Sequence, residues 1–566
     1  MKNKALCFLT ILAISLSIAN AQTRLTYKSY SIGGTDTSYT EVLVKGSQAK
    51  IQSGDKPAEN PIPGIAKHFT YIDYKLDTII SQLSYNIDEN YYCGYPIQEN
   101  QNFKEEGNEK INGYRCTKYS IVLFSNKIEI WTTQDLKLRA TPIASFANLP
   151  GVLVKYLRNG NAVVELASAA KDKSINNIFP TYFGEPKTSS ELNQMEKDKL
   201  VITLPIFNED QICFNPKLEK PTAFLYDSVY HVANGTVILK KIDLTLLPEH
   251  YQIFAEVTEY SNGDAYDRTG SIFLIPGNLP LSMVEAFRDS VEVLPYFTDK
   301  NGNKYQGMIT TPIYQPPIEL MRFFTPFGVR HYNQYRSLQD QDWAEQVVYK
   351  QDISELRPFL QGNVYIGAFI GNYDGGGHKL SLTLKAYPES DTWTFSDSTF
   401  EMALPLFNTC NVMEMAGQNY GTFFRTDSLT VDFFVPYHCK ELKLRYITTG
   451  HGGWDSGDEF VPKPNTILID GVQKYVYTPW RTDCGTYRTS NPASGNFWNG
   501  LSSSDYSRSG WCPGTATQPV YFDLTGLEPG EHTMTIAIPQ GEPEGGSFSA
   551  WNVSGILIGT FEKVDQ

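Results

Sequence analysis

The chain has 566 residues, a formal net charge of -14 at pH 7, and 35 tyrosines, 31 phenylalanines and 43 glycines. This length predicts several domains, and the abundance of aromatic residues and glycine favours strands and tight turns over helices. The acidic surplus, with no basic run or basic helix, argues against nucleic acid or an anionic membrane as the partner.

The first 21 residues have the features of a secretory signal peptide. Two lysines precede an apolar run at 5–18, and the small residues Ala19 and Ala21 mark a cleavage site. The run is shorter than the roughly 20 apolar residues that a membrane-spanning helix needs, and no later stretch approaches that length. We therefore expect a secreted or periplasmic protein with no membrane span.

Residues 22–200 are predicted to form one β domain. Segments such as Tyr39–Val44 carry strand-forming residues bounded by Gly, Ser and Asp, as in half-buried strands. Motifs at 111–116, 128–133 and 148–153 resemble the small secreted "GLPGLI" domains, which implies a half-open, bowl-like β-barrel. A polar stretch at 187–199 predicts a short capped helix, and residues 201–214 are predicted to be a linker.

From residue 215 onward, predicted strands follow one another, separated by Gly, Pro and Asn turns, and no long helical period interrupts them. This pattern is typical of antiparallel β-sandwiches. The strand-like segments lie at 237–246, 379–386, 429–435, 442–447, 533–538 and 556–559.

Three motifs occur in a fixed order in this region. They are Asp264-Ala-Tyr-Asp-Arg268, Arg322-Phe-Phe-Thr-Pro-Phe, and a long segment at 449–514 that contains Gly-Asp-Glu-Phe460 and Arg508-Ser-Gly-Trp-Cys-Pro-Gly. In this order they resemble the bacterial peptide-N-glycosidase F family, which removes N-linked glycans from glycoproteins. The resemblance covers about 225 to 566 and implies an all-β fold with two adjacent eight-stranded jelly rolls, at 215–388 and 395–566.

The resemblance also implies the active-site residues. Asp267 matches the principal catalytic aspartate, which we expect to activate water, and Glu459 matches a second essential carboxylate that orients the sugar and the water. For Trp511, packing beside a disulfide is an equally good interpretation as ligand contact. The residues expected to contact substrate are Tyr266, Arg268, Tyr373, Asp374, Trp454, Phe460, Arg508 and Trp511.

The sequence departs from the family at the third acid. Its register places Gly371 at that position, and a glycine has no side chain to bind substrate. Asp374, three residues later, is the nearest acid that can reach in from the loop. The cysteine pair that flanks the family's glutamate is also absent, so the loop at Glu459 must be held in another way.

Seven cysteines remain after the leader, and an exported protein meets oxidising conditions. The resemblance implies a disulfide between Cys484 and Cys512. Cys93 and Cys116 are expected to form a second pair. A pair of Cys410 with Cys439 is an open alternative, and sequence alone does not fix the connectivity.

The expected function is that of a secreted amidase. It hydrolyses the bond between an asparagine side chain and the first GlcNAc of an N-linked glycoprotein or glycopeptide, so that asparagine becomes aspartate. The eight histidines show no metal-ligand spacing, so we expect no metal and no cofactor, and we expect a monomer. Two alternatives stay open: a non-catalytic glycan- or glycopeptide-binding protein, favoured by Gly371, and an interaction protein that acts through its N-terminal domain.

Overall fold

The computed structural model describes residues 22–34, 37–54, 66–86, 88–98, 102–175, 177–245, 247, 251–334, 337–388, 399–437, 439–452, 457–494, 502–543 and 547–562. The predicted signal peptide lies outside these residues. The chain divides into two compact units, Met1–Leu200 and Val201–Gln566. In the described ranges, no helix is long and apolar enough to cross a membrane.

The first unit is built mainly from strands, with a 3-10 helix at Ala144–Phe146 and one α-helix. Its elements are β1 (Gln22–Ser31), β2 (Thr37–Lys45), β3 (Gln48–Ser53), β4 (Lys67–Asp73), β5 (Thr78–Ser84), β6 (Asn90–Pro96), β7 (Lys104–Ile111), β8 (Tyr114–Leu123), β9 (Asn126–Thr133), β10 (Val152–Arg158), β11 (Ala162–Lys171), β12 (Glu185–Pro186) and α1 (Ser189–Leu200).

All of these strands belong to one open sheet in the order β12-β6-β5-β4-β3-β2-β1-β11-β10-β9-β8-β7. Neighbours are antiparallel except for β12 with β6. Every second residue of these strands faces the same side of the sheet. Leu25 and Tyr27 on β1 and Val42 and Val44 on β2 therefore point into one apolar core. Among the described residues β7 and β12 are not paired to each other, so the sheet stays open, as predicted.

The helix predicted at 187–199 is present as α1, and Thr188 and Glu191 form its cap. The hydroxyl of Thr188 accepts a hydrogen bond from the Glu191 N–H at 3.2 Å, and the Glu191 carboxylate accepts one from the Thr188 N–H at 2.7 Å. This reciprocal pair is a capping box, which satisfies two of the free N–H groups at the first turn.

The disulfide predicted between Cys93 and Cys116 is wrong, because both are free thiols. Cys93 lies on β6 and Cys116 on β8, and eight other strands stand between β6 and β8 in the sheet. Each step between neighbouring strands is about 4.8 Å, so the path across the sheet from β6 to β8 is far longer than the Cα–Cα distance of a disulfide. Cys410 and Cys439 are free as well.

The second unit carries the remaining strands and two short α-helices. Its strands are β13 (Ile202–Ile212), β14 (Val229–Val232), β15 (Val237–Asp243), β16 (Tyr251–Ser261), β17 (Thr269–Pro276), β18 (Tyr296–Thr298), β19 (Lys304–Gln306), β20 (Ile318–Phe324), β21 (Val347–Asp352), β22 (Asn363–Ile370), β23 (His378–Pro388), β24 (Thr399–Asn408), β25 (Leu429–Val435), β26 (Cys439–Gly452), β27 (Asn465–Ile469), β28 (Val472–Tyr477), β29 (Ala516–Thr517), β30 (Val520–Asp523), β31 (Gly530–Ala537) and β32 (Ser549–Glu562).

The helices of this unit are short. They are α2 (Met283–Arg288) and α3 (Phe423–Thr426), with 3-10 helices at Ala233–Gly235, Val291–Val293, Arg330–Gln334, Ser354–Phe359, Glu414–Ala416, Cys484–Ser490 and Ser503–Asp505.

The second unit contains two sandwiches, which confirms the predicted all-β double jelly-roll fold. In the first, the sheet β13-β23-β16-β21 faces the sheet β14-β15-β22-β17-β20-β29, and in the second, β24-β32-β26-β30 faces β25-β31-β27-β28. The linker predicted at 201–214 is wrong, since β13 pairs with β23 from Ile202 to Ile212. In β13, Ile206, Phe207 and Ile212 are buried, and the strand forms one edge of its sheet.

The two sandwiches are joined through buried polar groups. Arg322 and Glu319, both fully buried, form an ion pair at 2.7 Å, and Arg322 also donates to the carbonyl of Asn552 at 2.6 Å and to the hydroxyl of Thr449 at 3.1 Å. The short β29, from the second half of the chain, pairs with β20. These contacts fix β20 of the first sandwich against strands from the second half of the chain.

Candidate active site

Loops from both sandwiches meet at one place in the second unit. The first sandwich contributes the β16–β17 loop, which carries Asp264 to Arg268, and the β22–β23 loop, which carries Gly371 to Gly377. The second sandwich contributes the β24–β25, β26–β27 and β28–β29 connections. Residues more than 240 positions apart, such as Asp267 and Arg508, therefore come into contact.

One guanidinium contacts both predicted catalytic carboxylates. Nη1 of Arg508 lies 3.6 Å from Oδ2 of Asp267 and in direct contact with Oε1 of Glu459. The side chains of Asp267 and Glu459 are 15% and 17% exposed, whereas that of Arg508 is 1% exposed. The structure thus brings these three residues together, with the carboxylates at the surface of the site and the arginine behind them.

Arg508 is held in a fixed position by its surroundings. Its guanidinium carbon lies 4.8 Å from the ring centre of Phe460 and 4.5 Å from that of Trp511, and Nη2 donates to the carbonyl of Ser503 at 2.7 Å. Burial lowers the pKa of Arg508 to about 10, against the opposite effect of Asp267, so it keeps its charge at neutral pH.

Trp511 supports Arg508 and does not face a ligand. It is buried, its ring stacks on Phe324 with 4.2 Å between the ring centres, and its indole N–H donates to the carbonyl of Gly450 at 2.8 Å. The prediction of substrate contact for Trp511 is therefore wrong, because neither its face nor its N–H is free.

The predicted disulfide between Cys484 and Cys512 is confirmed, with 5.1 Å between the two Cα atoms. It closes a segment with a sequence separation of 28 residues, and Arg508 and Trp511 lie just before its second cysteine. In the chain-entropy model, closing such a loop stabilises the fold by roughly 3–4 kcal/mol. The cross-link therefore fixes the segment that places Arg508.

Asp267 is less exposed than an acid in a surface turn, and this changes its acidity. Burial raises its pKa to about 6, which the charges of Arg508 and Arg268 only partly offset. The charge of Asp264 acts in the same direction as burial. A carboxyl with this pKa exchanges protons readily near neutral pH, as a general acid or base requires.

The turn that carries Asp267 is held by Asp264. Its carboxylate accepts two hydrogen bonds from Arg268, at 2.6 and 3.2 Å, and one from the N–H of Tyr266 at 3.1 Å. Thr325 closes the other side of the turn, because its hydroxyl accepts from the Arg268 N–H at 2.7 Å. Asp267 thus stands in a turn that is bonded on both flanks.

Two exposed tyrosines flank Arg268. Its guanidinium carbon lies 5.1 Å from the ring centre of Tyr266 and 5.7 Å from that of Tyr373, and these tyrosines are 61% and 63% exposed. Exposed aromatic faces beside a cation and hydroxyl groups form a surface on which a sugar ring can stack. Trp454, the other aromatic residue predicted here, lies outside the described residues.

A carboxylate from the second sandwich lies next to the glycine at the third acid position. Oε2 of Glu414 is 3.8 Å from the point where a Cβ on Gly371 would stand. Burial raises the pKa of Glu414, while the charge of Arg268 and a hydrogen bond with Tyr373 lower it. Glu414 therefore lies beside the third acid position, where the ring of Phe369, 3.0 Å from the same point, is the nearer neighbour.

Asp374, by contrast, orders its own loop. Its Oδ1 accepts hydrogen bonds from the N–H groups of Gly376 at 2.7 Å and Gly377 at 2.8 Å. One oxygen of Asp374 is therefore committed to the turn, and a role for Asp374 at the third acid position stays a prediction.

Sequence reasoning missed two residues, Glu414 and Asp458. Glu414 lies in an unremarkable segment of a different domain from Gly371, so no local signal marks it. Asp458 is fully buried and accepts from the indole N–H of Trp551 at 2.7 Å and from the N–H of Gly541 at 3.0 Å. These bonds anchor the loop of Glu459.

Within the described ranges, no group of three or more His, Cys, Asp or Glu side chains is arranged to hold a metal ion. The site thus consists of acids, arginines and aromatic residues, a set suited to proton transfer and to binding a neutral, hydroxyl-rich ligand.

Comparison with protein-family models matches "Peptide-N-glycosidase F, N terminal" over residues 203–386 and "Peptide-N-glycosidase F, C terminal" over 419–558. The model "N-glycanase peptide, N-terminal domain" matches residues 88–194. A search of curated proteins gives no match.

Among solved structures, the chain is similar to PNGF-II in two crystal forms. The identity is 41% in both; one alignment covers 95% of this chain and 99% of that chain with a TM-score of 0.75, and the other covers 96% and 99% with a TM-score of 0.70. A more distant structure, a peptide-N(4)-(N-acetyl-beta-D-glucosaminyl) asparagine amidase, is 14% identical over 65% of this chain and 98% of that chain, with a TM-score of 0.43. By its family models and its 41% identity to a relative of matching length, the chain belongs to the peptide-N-glycosidase F family.

Proposed function

We propose that this protein is a secreted amidase that hydrolyses the β-aspartylglucosylamine bond of N-linked glycoproteins or glycopeptides. The observation that carries the proposal is the pair Asp267 and Glu459, which come from different sandwiches and meet one buried guanidinium, that of Arg508. A protein that only binds glycans has no need for two partly buried carboxylates around a shared cation.

Asp267 would act first as a base and then as an acid. Above its pKa of about 6 it is ionised, so it accepts a proton from water as the water oxygen attacks the carbon of the asparagine side-chain amide. When the C–N bond breaks, the same proton passes to the departing nitrogen. The products are an aspartate in the peptide and a glycosylamine, which hydrolyses in water to free glycan and ammonia.

The arginines would stabilise the charge that develops on the amide oxygen. Arg268 is the one within reach of substrate, since its side chain is 21% exposed. Arg508 is almost completely buried, so it would act by its field and by holding Asp267 and Glu459 in place. A preorganised cation in a water-poor site is effective because it needs no rearrangement during the reaction.

The sugar would be held on the opposite side of Arg268. Tyr266 and Tyr373 offer exposed faces and hydroxyls, and Glu414 offers a carboxylate beside Gly371. Glu459 would accept hydrogen bonds from the innermost GlcNAc and from the attacking water. Phe460, next to Glu459, contacts Arg508 and Tyr506, so its task would be to keep the site in shape.

The test is incubation with a denatured N-glycoprotein, followed by mass spectrometry of its peptides. The proposal predicts loss of the whole glycan together with conversion of the acceptor asparagine to aspartate. Binding of the glycoprotein without this conversion would favour the glycan-binding alternative, and neither binding nor conversion would favour an interaction protein that works through its N-terminal unit.

A further inference from the structure

A buried histidine connects the first sandwich to the catalytic turn. His378, the first residue of β23, is fully buried; its Nδ1 lies 2.7 Å from Oε1 of Glu259 on β16, and its Nε2 lies 3.6 Å from Oδ2 of Asp264. Glu259 is also fully buried, and Asp264 nearly so. One imidazole therefore stands between two carboxylates that have almost no access to water.

This arrangement favours the charged form of the imidazole. Two buried carboxylates raise the pKa of His378 to about 9, although burial alone would lower it. Nε2 has no hydrogen-bond partner among the described residues, so its link to Asp264 is an attraction between charges at 3.6 Å. Removing the cation would leave Glu259 as a buried anion without its ion pair, and would leave Asp264 with Arg268 as its ion-pair partner. An unpaired buried anion is costly.

The backbone fixes the ring in this position. Gly377, immediately before His378, has a φ of +59°, and a Cβ there would collide with the carbonyl oxygen of Ile212. Only glycine suits such a conformation without strain. The turn formed by Asp374 and the glycines therefore delivers His378 to one place.

From His378 the charges alternate toward the reacting groups. Glu259 is negative, His378 positive, Asp264 negative and Arg268 positive, and Arg268 is bonded to Asp264 at 2.6 and 3.2 Å. The same Asp264 carboxylate also holds the turn of Asp267, and its charge raises the pKa of Asp267. Three other polar groups lie near these four charged residues. The hydroxyl of Tyr349 on β21 is 3.5 Å from Oε2 of Glu259. The thiol of Cys213 and the carboxylate of Asp374 lie beside the glycine turn.

We propose that His378 is a positioning residue for the amidase reaction: its ion pairs with Glu259 and Asp264 hold the Asp264–Arg268 pair and set the charge balance under Asp267. The inference rests on the proposed function. Among the described residues, His378 reaches the site through its ion pair with Asp264, so its effect passes through Asp264.

The test compares His378→Gln, Glu259→Gln and the double variant by the pH dependence of kcat/KM on a fluorescent N-glycopeptide. His378→Gln removes a positive charge, so the acidic limb set by Asp267 should move to higher pH. Glu259→Gln removes a negative charge and should move it to lower pH. Each shift is expected to be about half a pH unit, or about threefold in rate on the acidic side, and the double variant should return close to wild type.

A purely structural role predicts another pattern: both single variants lose stability, the double variant does not recover, and the acidic limb stays in place. That result would overturn the proposal. If His378→Gln does not fold, the test is whether Glu259→Gln moves the acidic limb of the pH profile to lower pH. An acidic limb that stays in place in Glu259→Gln would overturn the proposal too. NMR titration of the Asp267 carboxyl compares the pKa of Asp267 in these variants without any turnover. If the protein is inactive but this pKa shifts as expected, the proposed function is contradicted, whereas the effect of His378 on Asp267 stands.

Discussion

Oε2 of Glu414, in the second sandwich, lies 3.8 Å from the position that a Cβ on Gly371 would occupy in the first. Two residues separated by more than forty positions thus meet at one point of the site, beside the ring of Phe369 at 3.0 Å. The same carboxylate is hydrogen-bonded to Tyr373 and feels the charge of Arg268, so it is placed to bind a sugar hydroxyl.

Replacing Glu414 by Gln should weaken substrate binding with little effect on the chemical step. A hydrogen bond to a charged group contributes about 1.5–3 kcal/mol, so KM should rise by about tenfold or more while kcat changes by less than about threefold. The measurement is steady-state hydrolysis of an N-glycopeptide. Glu441→Gln, an exposed acid of the same sandwich paired with Lys443, is the matched control, and equal KM values in the two variants would exclude Glu414 from the sugar site.

Replacing Asp267 by Asn should stabilise the protein at alkaline pH while it abolishes activity. An acid whose pKa is raised from 3.8 to about 6 in the fold favours the fold in its protonated form, and this contribution is lost as the pH rises through about 6. The neutral amide of Asn avoids the cost of a buried ionised carboxylate. The free energy of unfolding of Asp267→Asn should therefore exceed that of the wild type by about 2–3 kcal/mol at pH 8, and the difference should shrink towards zero near pH 4.

Chemical denaturation of both proteins at these two pH values checks this expectation. An Asn variant that is no more stable than wild type at pH 8 would show that the carboxylate is well solvated in the fold, as expected for an acid in a surface turn.

Replacing Arg508 by Lys should lower kcat by about 100-fold, because a lysine cannot contact two carboxylates and the Ser503 carbonyl through one rigid plane. Arg481→Lys is the matched control, since Arg481 lies in the same long loop but pairs with Asp483. If kcat falls to a similar extent in both variants, the arginines are needed for the folding of the loop, and a specific role of Arg508 in the reaction is contradicted.

The sequence predicts the two sandwiches, the principal carboxylates and the disulfide, because each rests on a local pattern or an ordered motif. It does not predict Glu414, Asp458 or His378, whose roles arise from contacts between distant segments. The errors have the same origin. Cys93 and Cys116 are close in sequence but lie near opposite ends of a sheet, and the segment taken as a linker is β13, which finds its partner β23 more than 160 residues later.

Removing the N-terminal unit should leave hydrolysis intact only if β13 is kept. A protein that begins at Val201 retains the pairing of β13 with β23, so it should fold and release glycans. A protein that begins at residue 215 loses that sheet edge and exposes β23, which should cause aggregation. Activity assays and size-exclusion chromatography of the two truncations test this expectation, and a soluble but inactive protein from Val201 would mean that the N-terminal unit contributes to catalysis.

In the proposed reaction, Asp267 and Glu459, held together by Arg508, hydrolyse the asparagine side-chain amide. The decisive experiment is digestion of a denatured N-glycoprotein in isotopically labelled water by the wild type, Asp267→Asn and Glu459→Gln. We expect the wild type to convert the acceptor asparagine to an aspartate that carries the label, and we expect both variants to fold but to yield no measurable amount of this product. Glycan release that leaves a GlcNAc on an unlabelled asparagine, or undiminished conversion by either variant, would contradict the proposed reaction.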